Sequence, residues 1–427
     1  MDDYREPVVV IQIKSRFPMA DPVRMEAPAS DDLSWLEVDL GRVEANAKTV
    51  RGLLDGRLAG PAEAAPTAGR RVKLCPVLKK DAYGLGAVTI AHRLARAGCA
   101  DLLAVYSPDE AERLVAGAVT TPILVLMPMR SLRRTDSLYR HAVAEKLHLS
   151  IHDVQQLDEI NAIGQQLGIK IPCHLYVDTG MSRSGLSVAQ ALRLLASTTA
   201  HRYVRIAGIF THFACSDTDP AFTAKQYDAF TALLDEAGDQ LPADCIRHAS
   251  SSAATLRDTA LHFDMARPGI AMLGYADSNN ATLLPAMRWC SRIVHTQPYP
   301  QGTPVSYGCT HTLQRDSVLG IVPVGHGDGY PVALSNQATV RVNHTDCRVL
   351  GTVSMDQIVI DLTDALHDPI AGTEQPPEAL MGQLVEVYSN DPAAPHALPN
   401  LAKLAGTNAY ELLCRLSPTL PRKYLQG

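Results

Sequence analysis

Residues 72–86 read VKLCPVLKKDAYGLG. An apolar run of β-type residues ends in two lysines and gives way to a glycine-containing turn, the pattern of a buried strand leaving a sheet at its C-terminal end. Side chains alternate along a strand, so Lys79 and Lys80 cannot both face the same way. A lysine that finishes an apolar strand is partly desolvated, which lowers its pKa and frees the amine as a nucleophile or Schiff-base former. The residues alone leave equal room for two solvated lysines on a loop.

Seven further apolar runs follow: LLAVYS (102–107), PILVLM (122–127), LHLSIH (147–152), CHLYVD (173–178), IAGIFTHF (206–213), CIRHASS (245–251) and DMARPGI (264–270). Helix-start signals lie between them. Ser107-Pro108-Asp109-Glu110 is a capping box with proline at the first helical position, Ser187 with Gln190 repeats it, and Asp219-Pro220 opens a helix running toward Gly238. Near-continuous apolar strands alternating with capped helices indicate a parallel sheet covered on both faces, and eight units favour closure into a barrel. The fold class expected is α/β, a (β/α)8 TIM barrel followed by a mainly antiparallel β domain. Beyond about residue 285, segments such as SVLGIVPVGHGDGYP and ATVRVNHTDCRVLGTVSMDQIVIDL are β-type and split by Gly, Pro, Asn and Asp, and residues 400–416 supply one late helix. The expected division is a disordered extension over 1–33, a barrel over 34–284 containing the opening strand WLEVDL, and a β domain over 285–427.

The composition is that of an ordinary globular chain: 427 residues, 46% hydrophobic and 20% charged, with 39 Lys+Arg against 45 Asp+Glu. A barrel of about 250 residues leaves about 177 for the rest. No stretch approaches the roughly 18 apolar residues of a membrane span. The absence of a basic cluster argues against nucleic acid. No signal-peptide pattern is visible, and the nine cysteines include no C-x-x-C pair. Cys75 and Cys99 are therefore expected as free thiols in a cytoplasmic protein, and Cys309 with His311 is too small a set to assign a metal.

VLKKDAYGLG is similar to the fingerprint of the alanine racemase family, fold-type III pyridoxal-phosphate enzymes. The resemblance continues in family order through VDTGMSRSG, THFACSD, HASSSAA, RPGIAMLG, VSYG, GHGDGYP, VSMDQ and a terminal LPR. It implies a pyridoxal 5'-phosphate racemase interconverting L- and D-alanine by a two-base mechanism, with D-alanine supplied for peptidoglycan. Lys79 would carry the cofactor and act as one base, and Tyr307 as the other. Tyr83, Ser252, Gly269 and Ile270 would hold the phosphate, His212 would lie against the ring, and Arg267 would face the ring nitrogen. Arg183 would meet the substrate carboxylate. Met355 and Asp356, like Tyr307, would be presented to a partner chain, implying a homodimer with shared sites acting on a small amino acid.

The chain departs from the family pattern in three places. Tyr176 stands where a carbamylated lysine often holds the arginine, and Pro418 where the notional C-terminal pattern has a phosphate-binding tyrosine. His326 and Val332 stand where a tyrosine and an arginine commonly line the substrate corridor. A less obstructed corridor leaves racemases of serine, lysine or ornithine, or of broad specificity, as alternatives. A non-catalytic pyridoxal-phosphate-binding paralogue is a further one. The barrel decarboxylases of the same cofactor are disfavoured, because they place an acid at the ring nitrogen where this chain has Arg267.

Overall fold

The computed structural model describes residues 32–56, 71–197, 200–276, 281–368 and 372–426. The extension expected over 1–33 lies outside them except for its last two residues, of which Leu33 accepts hydrogen bonds from Arg292 N (3.1 Å) and Ser291 Oγ (2.7 Å).

Eight parallel strands form one sheet, in the order Lys73–Leu74, Met265–Ala266, Ile246–His248, Val204–Phe210, Ile171–Tyr176, Leu147–Ile151, Ile123–Val125 and Leu103–Val105. The two ends meet. Val77 bridges Ala104, Leu78 N donates to Ala104 O at 2.8 Å and Ala104 N to Pro76 O at 2.9 Å, closing the curled sheet into a barrel. Each of the eight runs picked out by apolar character supplies one strand. The capping boxes form as read: Ser107 and Glu110 exchange bonds at the start of the helix Pro108–Ala116, and Ser187 and Gln190 at the start of Val188–Ala196. Asp219 caps the helix Pro220–Ala237, which ends at Gly238.

Nine strands form the second sheet, in the order His295–Tyr299, Ser317–Val322, Ile358–Asp361, Thr345–Leu350, Thr339–Val342, Leu384–Tyr388, Met287–Arg292, Ser34–Asp39 and Arg422–Leu425. All the neighbouring pairs are antiparallel except the last. Ser34–Asp39, placed with the barrel by the sequence reading, pairs instead with Met287–Arg292 and Arg422–Leu425. Its side chains explain this. Arg288 Nη2 donates to Glu37 Oε2 at 2.7 Å, Trp289 Nε1 to Ser34 Oγ at 2.9 Å, and Lys423 Nζ stands 4.1 Å above the Trp35 ring. The single late helix expected over 400–416 is two, Leu398–Leu404 and Ala409–Arg415. The chain turns at Gly406, and the Asn408 side chain accepts Glu411 N at 3.1 Å to start the second.

Trp289, Tyr330 and Tyr388 form a fully buried aromatic cluster beneath this sheet, with the Trp289 and Tyr388 rings edge to face at 5.1 Å. Replacing Trp289→Ala removes the centre of that cluster and the bond to Ser34. We expect a loss of about 3–5 kcal/mol in urea denaturation, and a loss under about 1 kcal/mol would show that the cluster is not what anchors the opening strand.

Candidate functional site

The backbone leaves the Lys73–Leu74 strand through an unusual turn. Lys80, Asp81, Ala82 and Tyr83 have φ of 53°, 54°, 51° and 58°, a single left-handed helical turn of L-residues. It is held from several directions. Lys80 N donates to Glu110 Oε1 at 2.8 Å, Ala87 N to Asp81 Oδ1 at 2.7 Å, and Arg422 Nε to Gly84 O at 3.1 Å. Glu110 thus completes its capping box with one carboxylate oxygen and braces the turn with the other. Lys80 is exposed, whereas Lys79 faces a cavity of about 640 Å³ at the C-terminal mouth of the barrel. Burial, reinforced by the nearby Arg183 guanidinium, holds the Lys79 amine below the ordinary lysine range.

Tyr83, Arg183, His212, Ser252, Arg267 and Gly269 line the same cavity, and Ile270, next along the chain, is fully buried. Ser252 Oγ accepts Gly269 N at 2.9 Å and Ala271 N at 3.2 Å, so its own proton is left to donate. Gly269 is needed here, because a Cβ at that position would stand 2.0 Å from the Tyr83 hydroxyl. Arg267, 4% exposed, faces no carboxylate among the described residues. Its guanidinium donates to Thr211 O (2.9 Å), Ala249 O (3.1 Å) and His248 Nδ1 (2.5 Å), and lies 3.4 Å from His212 Nδ1. Its planar face is 5.1 Å from the Phe210 centroid. Burial lowers its pKa to about 10, which still leaves it cationic at neutral pH. Burial first, and then Arg267, push His212 down to about 3, so this imidazole is neutral.

Tyr307, Met355 and Asp356 are not in this cavity. They are exposed on loops of the second sheet, Tyr307 at 73% and Met355 at 60%. Those loops are tied together: Thr352 Oγ1 donates to Tyr307 O at 2.8 Å, Ser306 Oγ to Thr352 O at 2.7 Å, and Gly327 N to Met355 O at 2.9 Å. His326 and Val332 line one surface hollow of about 610 Å³.

Some cavity residues were not singled out from sequence. Tyr410 lines the cavity with its ring edge-on to Tyr83, centroids 6.0 Å apart. Pro418, where a tyrosine was missed, borders a different hollow with Lys80 and Cys414. The cavity therefore has a tyrosine beside Tyr83 after all, delivered by the helix that Asn408 caps. Tyr176 is 3% exposed, stacked on Phe210 at 4.7 Å, and its hydroxyl has no hydrogen-bond partner among the described residues. His248, quoted within HASSSAA but given no role, is the imidazole that meets Arg267.

A parallel barrel with a desolvated lysine at its C-terminal mouth, joined to an antiparallel β sheet, defines an enzyme of the barrel-plus-β-domain class. Residues 62–277 match the family model described as alanine racemase, N-terminal domain, and residues 286–424 match alanine racemase, C-terminal domain. The alanine racemase of Halothermothrix orenii is 32% identical over 397 residues, 92% of this chain and 96% of that protein. The crystal structure of alanine racemase from D-cycloserine producing Streptomyces lavendulae has a TM-score of 0.78 at 29% identity, covering 94% of this chain and 98% of that one. That of Bartonella henselae alanine racemase with covalently bound pyridoxal phosphate has a TM-score of 0.74 at 25% identity, covering 92% and 100%. The chain belongs to the alanine racemase family. Among the described residues no helix is long and apolar enough to cross a membrane.

Burial also holds His148, in the barrel interior, at a pKa of about 4 against an ordinary 6.5. Above the ordinary value neither folded nor unfolded chain carries the proton. As pH falls from about 6.5 toward 4, the unfolded chain takes it up and the folded one does not, so stability drops. Between pH 7.5 and 4.5 this histidine should account for about 2 kcal/mol of lost stability. Urea midpoints at the two pH values should therefore fall less for His148→Asn than for the parent; equal falls would refute the assignment.

Proposed function

We propose that this chain interconverts L- and D-alanine with pyridoxal phosphate held at Lys79, using Lys79 and Tyr307 as its two bases. The observation that carries this reading is the meeting, at one barrel mouth, of a desolvated lysine, a hydroxyl-lined cradle and a buried guanidinium that has no acid partner among the described residues.

The residues fit the cofactor. Lys79 would hold its aldehyde carbon. The Tyr83 and Ser252 hydroxyls and the backbone at Gly269 and Ile270 would hold its phosphate, with Tyr410 beside them. His212 and Arg267 would border its ring, and the Tyr176 hydroxyl, which has no partner among the described residues, would supply one more polar contact within the cavity. Bound there, pyridoxal phosphate supplies an electron sink for the charge left when the substrate's Cα–H bond breaks.

Each side chain then has a definite task. Arg267 carries only donors and stays charged, so it would disfavour a proton on a ring nitrogen held beside it and moderate the sink. Lys79, whose amine loses its proton more readily than an exposed lysine, takes or gives a proton at Nζ on one face of the substrate. Arg183, exposed at the rim, attracts the substrate carboxylate. Inversion needs a second proton-transfer group on the other face, and the Tyr307 hydroxyl has the chemistry for it. Within one chain Tyr307 is outside the cavity, which supports a homodimer in which the Tyr307, Met355 and Asp356 patch closes the partner's barrel mouth. The product would supply D-alanine for peptidoglycan.

Lys79→Ala should abolish the visible absorption of bound cofactor. Tyr307→Phe should keep that absorption and lose racemisation by roughly 10²–10⁴-fold; a wild-type rate would remove Tyr307 from the mechanism. Mixing the two inactive variants under subunit exchange should restore about a quarter of wild-type activity, because half the dimers then carry one intact site. If nothing is restored, each chain builds its site alone. Among amino acids assayed with purified enzyme, alanine should turn over fastest. A higher kcat/KM for serine, lysine or ornithine would move the assignment to the broader racemases, with the hollow at His326 and Val332 as the feature to examine.

A further inference from the structure

The barrel interior, where apolar side chains usually fill the layers, holds three histidines with no task in the reaction as described. His148, His174 and His248 stand on the strands Leu147–Ile151, Ile171–Tyr176 and Ile246–His248. Their imidazoles form an unbroken row leading away from the reactive mouth. Arg267 Nη1 is 2.5 Å from His248 Nδ1, His248 Nε2 is 2.8 Å from His174 Nδ1, and His174 Nε2 is 2.9 Å from His148 Nδ1. His174 and His248 are completely buried, and His148 is 7% exposed.

The direction of every bond in this row follows from its first member. A guanidinium only donates, so His248 Nδ1 must present a lone pair. A neutral imidazole then keeps its proton on Nε2, which points at His174 Nδ1 and obliges that atom to accept. The same step repeats at His148. One obligatory donor thus selects the Nε2–H tautomer three times, and an extra proton anywhere in the row would set two donors face to face. The surrounding charges oppose such a proton. Arg267 faces His248, and Arg205 and Lys73 act on His148 and His174, while Glu145 meets His148 through its backbone.

The backbone is shaped to admit the row. A Cβ at Gly208 would stand 2.2 Å from His174 Nδ1, and the pairing of Ile171–Tyr176 with Val204–Phe210 shifts register between Cys173 and His174. Both features sit at the central imidazole, and a purely apolar barrel layer would need neither.

We infer that His174 and His148 are positioning residues for Arg267: they hold His248 in the one tautomer that offers a lone pair to the guanidinium, and so keep that cation fixed at the ring-nitrogen site by uncharged acceptors alone. The inference rests on the reading that Arg267 faces the cofactor ring. Neutral acceptors matter because a carboxylate in the same place would cancel the charge that Arg267 presents to the ring. Without His174, the His248 N–H loses its buried acceptor, and the ring can recover a partner only by turning away from Arg267.

Neutron diffraction from crystals of the cofactor-loaded enzyme reads the tautomers directly. Deuterons are expected on Nε2 of His248, His174 and His148. A deuteron on Nδ1 of His248 or His174, or on both nitrogens of either, overturns the row. The positioning role is read from His174→Leu and His174→Asn, since asparagine can place an acceptor oxygen near the lost Nδ1 and leucine cannot. In His174→Leu, kcat for alanine should fall about tenfold with KM unchanged and the visible band of the bound cofactor should shift. His174→Asn should recover most of that rate and the parental band. Equal rates and bands for the two variants overturn the positioning role. If the leucine variant does not fold, Gly208→Ala provides the same test by displacing the imidazole, with the same expected fall and band shift. An unshifted band in Arg267→Lys would instead sink the reading beneath the inference, and would do so with the tautomers still as expected.

Discussion

Four consecutive L-residues, Lys80 to Tyr83, stand in the left-handed region, where each costs about 1–2 kcal/mol relative to an ordinary helical turn. Such a conformation persists only where its surroundings over-determine it. Here the supports come from separate parts of the chain: Glu110 from the next strand–helix unit, the start of the helix Ala87–Arg96 through Asp81, and Arg422 from the final strand of the other sheet. The barrel and the last residues of the chain are therefore committed to one turn. Lys79 immediately precedes it, so the direction of the reactive amine is set by backbone that has little freedom to relax.

Behind the lysine, the barrel core holds a buried cation as well as apolar side chains. Tyr176, Phe210 and His248 stack in sequence, with ring centroids 4.7 and 4.8 Å apart, and Arg267 lies against the Phe210 face. Two carbonyls, an imidazole lone pair and an aromatic face stabilise the guanidinium without neutralising it. A buried charge is costly without a counter-ion, none faces Arg267 among the described residues, and the proposed role beside a bound ring would account for that cost. The same chemistry explains why the acid found at this place in the barrel decarboxylases would not be an equivalent substitution.

Much of this was legible in the amino-acid sequence, and the failures have identifiable causes. Strands buried on both faces read as unbroken apolar runs, so the eight barrel strands were visible directly, and Ser107, Ser187 and Asp219 announced their helices through side chains that bond only three residues away. The partner of Ser34–Asp39 was not visible, because a short alternating strand carries the same pattern in either sheet and its choice depends on Arg288, Trp289 and Lys423, some 250 or more residues distant. Tyr410 was hidden for a related reason: its reach into the cavity follows from a helix break at Gly406 that a continuous apolar period concealed. The histidine row joins residues 26 and 74 positions apart. No local window contains it, and each histidine alone looks like an ordinary core residue.

If the β domain served only the barrel to which it is covalently joined, its loops would be expected to bring the Tyr307 phenol to that barrel's mouth. Instead Tyr307 and Met355 are among the most exposed large apolar side chains described, on loops that Thr352 and Ser306 hold together. Exposed apolar groups presented on braced loops are characteristic of a surface that another molecule covers. A second copy of the chain is the simplest occupant, because a two-fold arrangement gives each barrel mouth the same patch and leaves neither patch uncovered. On that arrangement the proposed proton-transfer groups would come to the substrate from different chains, which leaves each free to stand on its own side, the geometry that removal of a proton from one face and its return to the other requires.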